Sequence, residues 1–196
     1  MKAAIILFGV LEEYIGMHRI HILGGAGAGK TTLARKISTY LGIPFYELDL
    51  VGYEGGFGAK RPLDVRLADL QRITAQSTWV SEGGSILWTD TLLRTADTLV
   101  WLDLPWHVRR WRILTRHIKA DLAHTNRHPG YLNLYRFYKT ARNYDRDPTI
   151  FIPQWPDGDG YENRATVEHY LAPYRAKVVH CRTVADEVAF EKTLLS

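Results

Sequence analysis

Ten residues near the start of the chain, Leu23 to Thr32, read Leu-Gly-Gly-Ala-Gly-Ala-Gly-Lys-Thr-Thr. From Gly24 to Thr31 they fit the pattern G-x-x-x-x-G-K-[ST], which forms a phosphate-binding loop when a strand precedes it and a helix follows. Glycines let the backbone turn tightly, so that successive N–H groups can surround an anion. An apolar strand pattern and an amphipathic helix pattern flank the loop, and we therefore expect a bound nucleoside triphosphate.

The residues at the end of the loop have separate expected roles. The helix that follows presents unpaired N–H groups and its positive dipole end to the phosphates. Lys30 can reach the β- and γ-phosphates, and the Thr31 hydroxyl can ligate Mg²⁺. ATP and Mg²⁺ are the expected cofactors, with the choice between ATP and GTP left open. The predicted nucleotide-binding residues of the loop are Gly25, Ala26, Gly27, Ala28, Gly29, Lys30, Thr31 and Thr32.

Short apolar strands alternate with amphipathic helices along the rest of the chain. Strand patterns fall at 18–23, 43–48, 79–80, 98–102 and 177–181. Helix patterns fall at 31–41, 63–75, 85–95, 105–122, 131–140, 163–172 and 183–195. This alternation predicts an α/β fold with a parallel sheet.

The length and composition are those of an ordinary globular domain. A chain of 196 residues with 46% hydrophobic and 23% charged residues can bury one core and is not disordered. The net charge of +4 suits a ligand with several phosphates, but it fits weak nucleic-acid binding equally well. A single cysteine, Cys181, rules out an intramolecular disulfide. We expect a buried, inert thiol and a cytoplasmic location.

Residues 1–16 are predicted to be an N-terminal extension. Their apolar run is too short to span a bilayer, and no small-residue cleavage site follows it. Met17 stands directly before the first strand, so the natural start at Met17 is one hypothesis. An additional strand or helix packed on the core is the alternative.

Acidic residues end three of the predicted strands, at Asp49, Glu82 and Asp103. In open α/β sheets ligands bind beyond the carboxyl ends of the strands. Phosphoryl transfer needs an acid to hold Mg²⁺ and, for a hydroxyl acceptor, a carboxylate that takes its proton. Glu82 is the first candidate for either role, as a magnesium ligand directly or through water, and Asp49 competes for both. For Asp103 we favour a capping or loop-stabilising role.

The predicted helix 105–122 is basic. Arg112 and Arg116 are four residues apart, so they share a face and can stabilise the charge of a transferring phosphoryl group. We interpret Arg109 and Arg110 as part of a solvated face. In the glycine-rich loop at 52–58 we leave an acceptor pocket and a plain flexible loop as alternatives.

Aromatic residues recur in the second half of the chain at helical spacing. The stripe at i, i+3, i+4 and i+7 is predicted to pack in the core. It consists of Tyr131, Leu134, Tyr135 and Tyr138. Trp101, Trp106 and Trp111 are predicted to pack likewise. The eight histidines show no spacing typical of metal ligands.

Together these motifs resemble the adenylate-kinase-like branch of P-loop kinases. The resemblance is carried by the loop, by the acidic ends of strands 2 and 3, and by Trp101-Leu102-Asp103-Leu104-Pro105 leading into the basic helix. Within that branch the chain is most similar to the small P-loop proteins known as DNA topology modulation proteins. Strand 3 ends in Ser-Glu-Gly-Gly where relatives often have Asp-Gly or Asp-Arg, and the region 123–160 is longer than a minimal lid.

The resemblance implies a single domain over residues 17–196, with three layers. Its sheet would have five parallel strands in the order 2-3-1-4-5, with helices on both faces and a lid after strand 4 at about residues 110–160. The resemblance further implies that Arg112 stacks on adenine, that Arg116 contacts phosphates, and that Arg182 lies near the base.

The predicted function is that of an ATP-dependent phosphotransferase with a small acceptor. The acceptor would be a nucleoside, a nucleotide or another small hydroxylated molecule. The predicted catalytic residues are Lys30, Asp49, Glu82 and Arg116. The alternatives are a nucleotide-dependent regulatory or DNA-associated ATPase and a catalytically degenerate ATP-binding protein. Neither a membrane nor a nucleic-acid partner is expected, and a homodimer is left open.

Overall fold

The structure is a computed structural model that describes residues 19–56, 58–84, 88–126, 129–150 and 163–194. The extension predicted for residues 1–16 lies outside the described residues. So does the part of the predicted lid at 151–160.

Five strands and eight α-helices alternate along the described residues. The strands are β1 (Arg19–Gly24), β2 (Phe45–Glu47), β3 (Trp79–Glu82), β4 (Thr98–Leu102) and β5 (Val178–Cys181). The helices are α1 (Lys30–Leu41), α2 (Leu48–Gly52), α3 (Leu63–Thr74), α4 (Asp90–Thr95), α5 (Trp106–Leu122), α6 (Tyr131–Arg146), α7 (Arg164–Leu171) and α8 (Val184–Leu194). Within these ranges no helix has the length and apolar character needed to cross a membrane.

The strands form one sheet in the order β2-β3-β1-β4-β5, and every pairing is parallel. The predicted sheet and strand order are confirmed. In the register, Glu82 lies opposite Ile22 on one side and opposite Glu47 on the other. Leu102 lies opposite Cys181. All five strands therefore end at one edge, which is where open α/β sheets bind ligands.

Alternate residues of the central strand serve the two faces of the sheet, as the two-residue period of a strand requires. Ile20 and Ile22 pack with α1 and with Phe190 of α8. Leu23 packs on the opposite face, in a cluster with residues of α3, α4 and α7. The sheet is thus covered on both sides, and the predicted three-layer fold is confirmed.

Several predicted element boundaries differ from those in the structure. Strand β2 stops at Glu47 because the chain turns directly into α2, which occupies the start of the predicted glycine-rich loop. Helix α6 continues past Thr140 to Arg146, since Ala141 and Tyr144 are buried beyond the predicted end. Of the helix predicted at 85–95 the structure has α4, and 85–87 lie outside the described residues.

The predicted aromatic core stripe of α6 is wrong. Tyr131 is 88% exposed and Tyr135 is 65% exposed, while Leu134 and Tyr138 are only partly buried. The buried residues of this helix lie in its C-terminal half. The stripe repeats at the helical period, but only that half of the helix packs against the domain.

The three predicted tryptophans differ in burial. Trp101 is buried, as predicted. Trp106 is half-buried and packs edge-on against Tyr138, with ring centroids 4.7 Å apart. Trp111 is 65% exposed, which contradicts the prediction. Cys181 is buried, which confirms its predicted burial, and burial raises the pKa of its thiol to about 12, which disfavours the reactive thiolate.

We predict that Gly24→Ala destabilises the domain more than Gly42→Ala does. Both glycines have positive φ, of 141° and 65°. A Cβ at Gly24 would stand 2.4 Å from the backbone oxygen of Leu102, whereas one at Gly42 would meet nothing within 4 Å. The free energy of unfolding in urea should fall by about 2 to 4 kcal/mol for Gly24→Ala and by about 1 kcal/mol for Gly42→Ala. Equal losses would contradict the packing described for β1 and β4.

Candidate phosphate-binding site

The loop between β1 and α1 forms a cradle of backbone amides. Gly24, Gly27 and Gly29 have positive φ angles of 141°, 79° and 102°, which residues with a Cβ rarely adopt. The Ala28 N–H donates to the Gly25 carbonyl at 3.1 Å and closes the turn. No described side chain caps the first residues of α1. The first amides of this helix therefore remain available to an anion.

Lys30 and Thr31 bring their side chains to the carboxyl edge of the sheet. Lys30 Nζ donates a hydrogen bond of 2.8 Å to the Gly24 carbonyl, so the side chain folds back along its own loop. The Thr31 hydroxyl donates to Glu82 Oε1 at 2.7 Å. A hydroxyl and a carboxylate side by side are hard oxygen ligands of the kind that Mg²⁺ prefers. The residues present fit the predicted magnesium site.

Two carboxylates, Glu82 and Asp49, interact with Lys30, and a third, Glu47, adds negative charge beside them. Glu82 is 7% exposed at the end of β3, next to Glu47 of β2. Asp49 lies in the first turn of α2 and is exposed. Burial raises the pKa of Glu82; Lys30 and the Thr31 hydrogen bond lower it, and Asp49 and Glu47 add to the increase. Partial loss of hydration also raises the pKa of Asp49. The positive charge of Lys30 lowers this pKa, and the negative charge of Glu47 raises it further. An excess of negative charge around one lysine suits a divalent cation.

Glu47 is a neighbour of the site that the sequence analysis missed. It ends β2, so the rule that singled out Asp49 and Glu82 applies to it as well. Its carboxylate forms an ion pair with Arg35 of α1 at 2.6 Å. Arg35 therefore neutralises part of the negative charge at the end of β2.

The solvated position predicted for Arg109 is wrong, because its side chain is fully buried. Its Nη1 donates to the Ala26 carbonyl of the phosphate-binding loop at 3.1 Å. Its Nη2 pairs with the carboxylate of Asp145 on α6. Arg110, the next residue, is exposed as predicted. No local pattern distinguishes these two arginines, since the partner acid lies on another helix.

The other predicted arginines occupy different positions. Arg112 Nη1 donates to the Ala28 carbonyl at 2.6 Å, and its Nη2 pairs with Glu187 of α8 at 2.8 Å. Arg116 is exposed and lies over the Phe137 ring, 5.7 Å from its centroid. Arg182 is exposed at the start of α8. Among the described residues only Arg112 of these three hydrogen-bonds to the loop. Thr32 is exposed in the first turn of α1.

A cavity of about 190 Å³ adjoins Lys30. One wall is the phosphate-binding loop and another is helix α6. The lining residues are Gly24, Gly25, Ala26, Lys30, Gly84, Phe137, Thr140, Ala141 and Tyr144. The cavity is therefore bounded by the cradle on one side and by aromatic side chains on the other.

Asp103 has a structural role, in line with the one favoured from the sequence. Its buried carboxylate accepts hydrogen bonds from Arg164 at 2.7 Å and from His180 Nε2 at 3.0 Å. The His180 ring stacks on Trp101, whose Nε1 donates to the Tyr144 hydroxyl at 3.0 Å. This network joins β4 and β5 to α6 and α7.

Comparison with known proteins gives structural likenesses at low sequence identity. No family model and no curated protein matches the chain. A shikimate kinase from Acinetobacter baumannii is 16% identical, with a TM-score of 0.47 and coverage of 94% of this chain and 96% of that chain. A shikimate kinase from Bacteroides thetaiotaomicron is 21% identical, with a TM-score of 0.42 and coverage of 82% and 97%. A gluconokinase from Sinorhizobium meliloti is 17% identical, with a TM-score of 0.44 and coverage of 91% and 92%.

The strand order, the parallel pairings and the loop between β1 and α1 define the fold of this chain. The resemblance to DNA topology modulation proteins stays a prediction.

We predict that Glu82→Gln raises the stability of the domain at neutral pH. Burial raises the pKa of Glu82 above its ordinary value of 4.5, so the native state holds this proton more tightly than the unfolded state does. Ionisation of Glu82 therefore costs stability as the pH rises through the raised pKa. A glutamine avoids this cost and can still accept the Thr31 hydrogen bond.

The measurement is urea unfolding of both proteins between pH 4 and pH 8. The gain in unfolding free energy from Glu82→Gln should be largest near pH 8. It should shrink as the pH falls toward the ordinary pKa of a glutamate carboxyl. Glu54→Gln, at an exposed carboxylate, controls for the loss of one surface charge. A variant that is less stable than the parent at neutral pH would contradict the pKa assigned to Glu82.

Proposed function

We propose that the protein is an ATP- and Mg²⁺-dependent phosphotransferase that acts on a small acceptor. The observation that carries the proposal is the pair of contacts at the cradle, Lys30 with the Gly24 carbonyl and Thr31 with Glu82. A lysine and a hydroxyl–carboxylate pair stand together beside backbone amides, and these are the groups that a nucleoside triphosphate with magnesium requires. Bound Mg²⁺ would neutralise charge on the phosphate oxygens.

The residues have distinct roles in this proposal. Lys30 leaves the Gly24 carbonyl to contact the β- and γ-phosphates. Thr31 and Glu82 hold the metal, directly or through water. Asp49 is the general base, since it is exposed to an incoming acceptor and its raised pKa moves toward the operating pH. Of the two alternatives that the sequence left open, the proposal takes Glu82 as the magnesium ligand and Asp49 as the base.

The proposed reaction transfers the γ-phosphoryl group to a hydroxyl. A bond forms between the acceptor oxygen and the γ-phosphorus, and the bond from that phosphorus to the β–γ bridging oxygen breaks, which releases ADP. The hydroxyl proton passes to the Asp49 carboxylate. An acceptor that is itself a phosphate needs no such base.

Three arginines complete the proposed site. Arg112 would lie beside adenine; its contact with the Ala28 carbonyl places it next to the start of α1. Arg116 would reach phosphates, and it stacks on Phe137, which lines the cavity. Arg182 would lie near the base, at the start of the helix that carries the Arg112 partner Glu187.

The acceptor is proposed to enter the cavity next to Lys30, with its hydroxyl toward the cradle. A nucleoside, a nucleotide or another small hydroxylated molecule is the proposed class. The aromatic walls from Phe137 and Tyr144 favour a molecule with a flat apolar face. A cytoplasmic location, where ATP is abundant and a single thiol stays reduced, belongs to the same proposal.

The experiment that tests the function is incubation with ATP, Mg²⁺ and a panel of nucleosides, nucleoside monophosphates and small hydroxylated metabolites. A mass gain of one phosphoryl group on a panel member, with release of ADP, supports the proposal. Release of ADP and inorganic phosphate with no phosphorylated acceptor would favour the regulatory ATPase. Binding of ATP with no release of ADP would favour a degenerate ATP-binding protein.

We predict that Lys30→Ala abolishes ATP-dependent turnover, because the variant loses the cation that contacts the transferred group. Lys36→Ala is the matched control on the same helix, since Lys36 pairs with Glu191 at the surface. The measurement is the initial rate of ADP release. A Lys30→Ala rate like that of the control would contradict the proposed role.

We predict that Glu82→Gln and Asp49→Asn each lower turnover by about 10²-fold or more, the usual contribution of a positioned acid or base. Titration with magnesium separates the two roles. The metal role predicts a higher magnesium requirement for Glu82→Gln, whereas the base role predicts an unchanged requirement for Asp49→Asn. Full activity in both variants would defeat the assignment.

A further inference from the structure

Arg109 is a buried cation whose three nitrogens each have a described partner. Nε donates to the Leu104 carbonyl at 3.1 Å, Nη1 donates to the Ala26 carbonyl at 3.1 Å, and Nη2 pairs with Asp145. The guanidinium also lies 4.9 Å from the centroid of the Tyr144 ring. A side chain fixed from so many directions holds the groups it contacts in one arrangement.

The contact with Ala26 has a consequence for the amide that follows. The described chain has no cis peptide bonds. In a planar trans peptide the C=O and the next N–H point in opposite directions. Arg109 draws the Ala26 carbonyl toward α5 and so turns the Gly27 N–H away from that helix. Arg112 acts in the same way on the Ala28 carbonyl, at 2.6 Å, and hence on the Gly29 N–H.

Helix α5 lies directly against the outer side of the loop. A Cβ at Gly25 would stand 2.5 Å from Arg109 Nη1, and a Cβ at Gly27 would stand 2.7 Å from the Arg109 backbone oxygen. The carbonyls thus face α5, and the Gly27 and Gly29 amides face the opposite side, toward the interior of the cradle. The contacts from Arg109 and Arg112 of α5 thus fix the orientation of these two N–H donors.

We propose that Arg109 is a positioning residue for nucleotide binding. Through the Ala26 carbonyl it keeps the loop amides in the orientation that receives a triphosphate, and through Asp145 it joins that orientation to α6, which forms a wall of the cavity. The inference rests on the proposed function, because it takes ATP as the ligand of the loop. Arg109 acts without touching the nucleotide.

The test measures the affinity for ATP separately from stability. The variants are Arg109→Gln, which removes the cation, Arg109→Lys, which keeps a cation without the fork, and Asp145→Asn. Arg110→Gln is the matched control, since Arg110 is the adjacent exposed arginine of the same helix. A fluorescent ATP analogue reports the dissociation constant with Mg²⁺, and urea unfolding without nucleotide reports stability.

We expect Arg109→Gln to weaken binding of the analogue by about tenfold or more, the size of one lost hydrogen bond to a charged group. Arg109→Lys should fall between this variant and the parent protein. Asp145→Asn should weaken binding of the analogue less than Arg109→Gln does. The double variant should bind no more weakly than Arg109→Gln alone, because both changes break one linked set of contacts. The control should bind as the parent does.

A solely structural Arg109 gives a different result. It would lower the unfolding free energy of the folded variants and leave the dissociation constant unchanged, which would overturn the inference. If Arg109→Gln does not fold, the dissociation constants of Arg109→Lys and Asp145→Asn decide whether Arg109 affects nucleotide binding. Failure of the parent protein to bind the analogue would defeat the proposed function itself. If the parent protein and the folded variants bind the analogue with equal affinity, only the proposed role of Arg109 is defeated.

Discussion

The conformation of the loop between β1 and α1 is constrained from two sides at once. On the inside, the loop turns tightly with backbone angles that favour glycine at Gly24, Gly27 and Gly29, as the proposed binding of an anion by its amides requires. On the outside, α5 lies so close that a side chain at Gly25 or Gly27 would collide with it. The glycines therefore satisfy the packing against α5 and also leave the loop free to bind the proposed ligand. The sheet supports this arrangement by ending all five strands at the same edge.

Charge is distributed unevenly around this loop. Glu82 and Asp49 both interact with Lys30, and Glu47 adds negative charge beside them, so that the excess of negative charge suits a magnesium ion. The guanidinium groups of α5 approach from the opposite direction and bind backbone carbonyls. The cradle thus has an acidic side, where a metal would be held, and a basic side, where the loop is held. In the proposed function, the acidic side would hold Mg²⁺ and the amides of the loop would hold the phosphates of ATP.

The sequence predicted the parts of the structure that depend on local signals. The loop and the acidic strand end at Glu82 follow from short motifs, and the parallel sheet follows from the alternation of strands and helices. The order of the strands was implied by the resemblance to the adenylate-kinase-like branch. Glu47 was missed although the same strand-end rule covers it. Long-range pairing was beyond the local patterns: Arg109 pairs with Asp145, thirty-six residues further on, and nothing near Arg109 indicates that it is buried.

Helix α6 illustrates the other limit of periodicity. Its aromatic stripe has the spacing of a buried face, yet Tyr131 and Tyr135 are exposed. The spacing of apolar residues identifies one face of a helix, but it does not show how much of that face packs against another element. Here the contact is made by Ala141 and Tyr144, which pack toward the loop. The position of α6 is therefore a tertiary property, set by the groups around Arg109.

The most direct test of the account is a crystal structure with a non-hydrolysable ATP analogue and Mg²⁺. We expect phosphates within hydrogen-bond distance of the loop amides, Lys30 Nζ moved from the Gly24 carbonyl to the phosphates, and the metal between Thr31 and Glu82. An empty loop in a crystal soaked at saturating analogue, or an analogue bound elsewhere with the Thr31–Glu82 hydrogen bond intact, would contradict it.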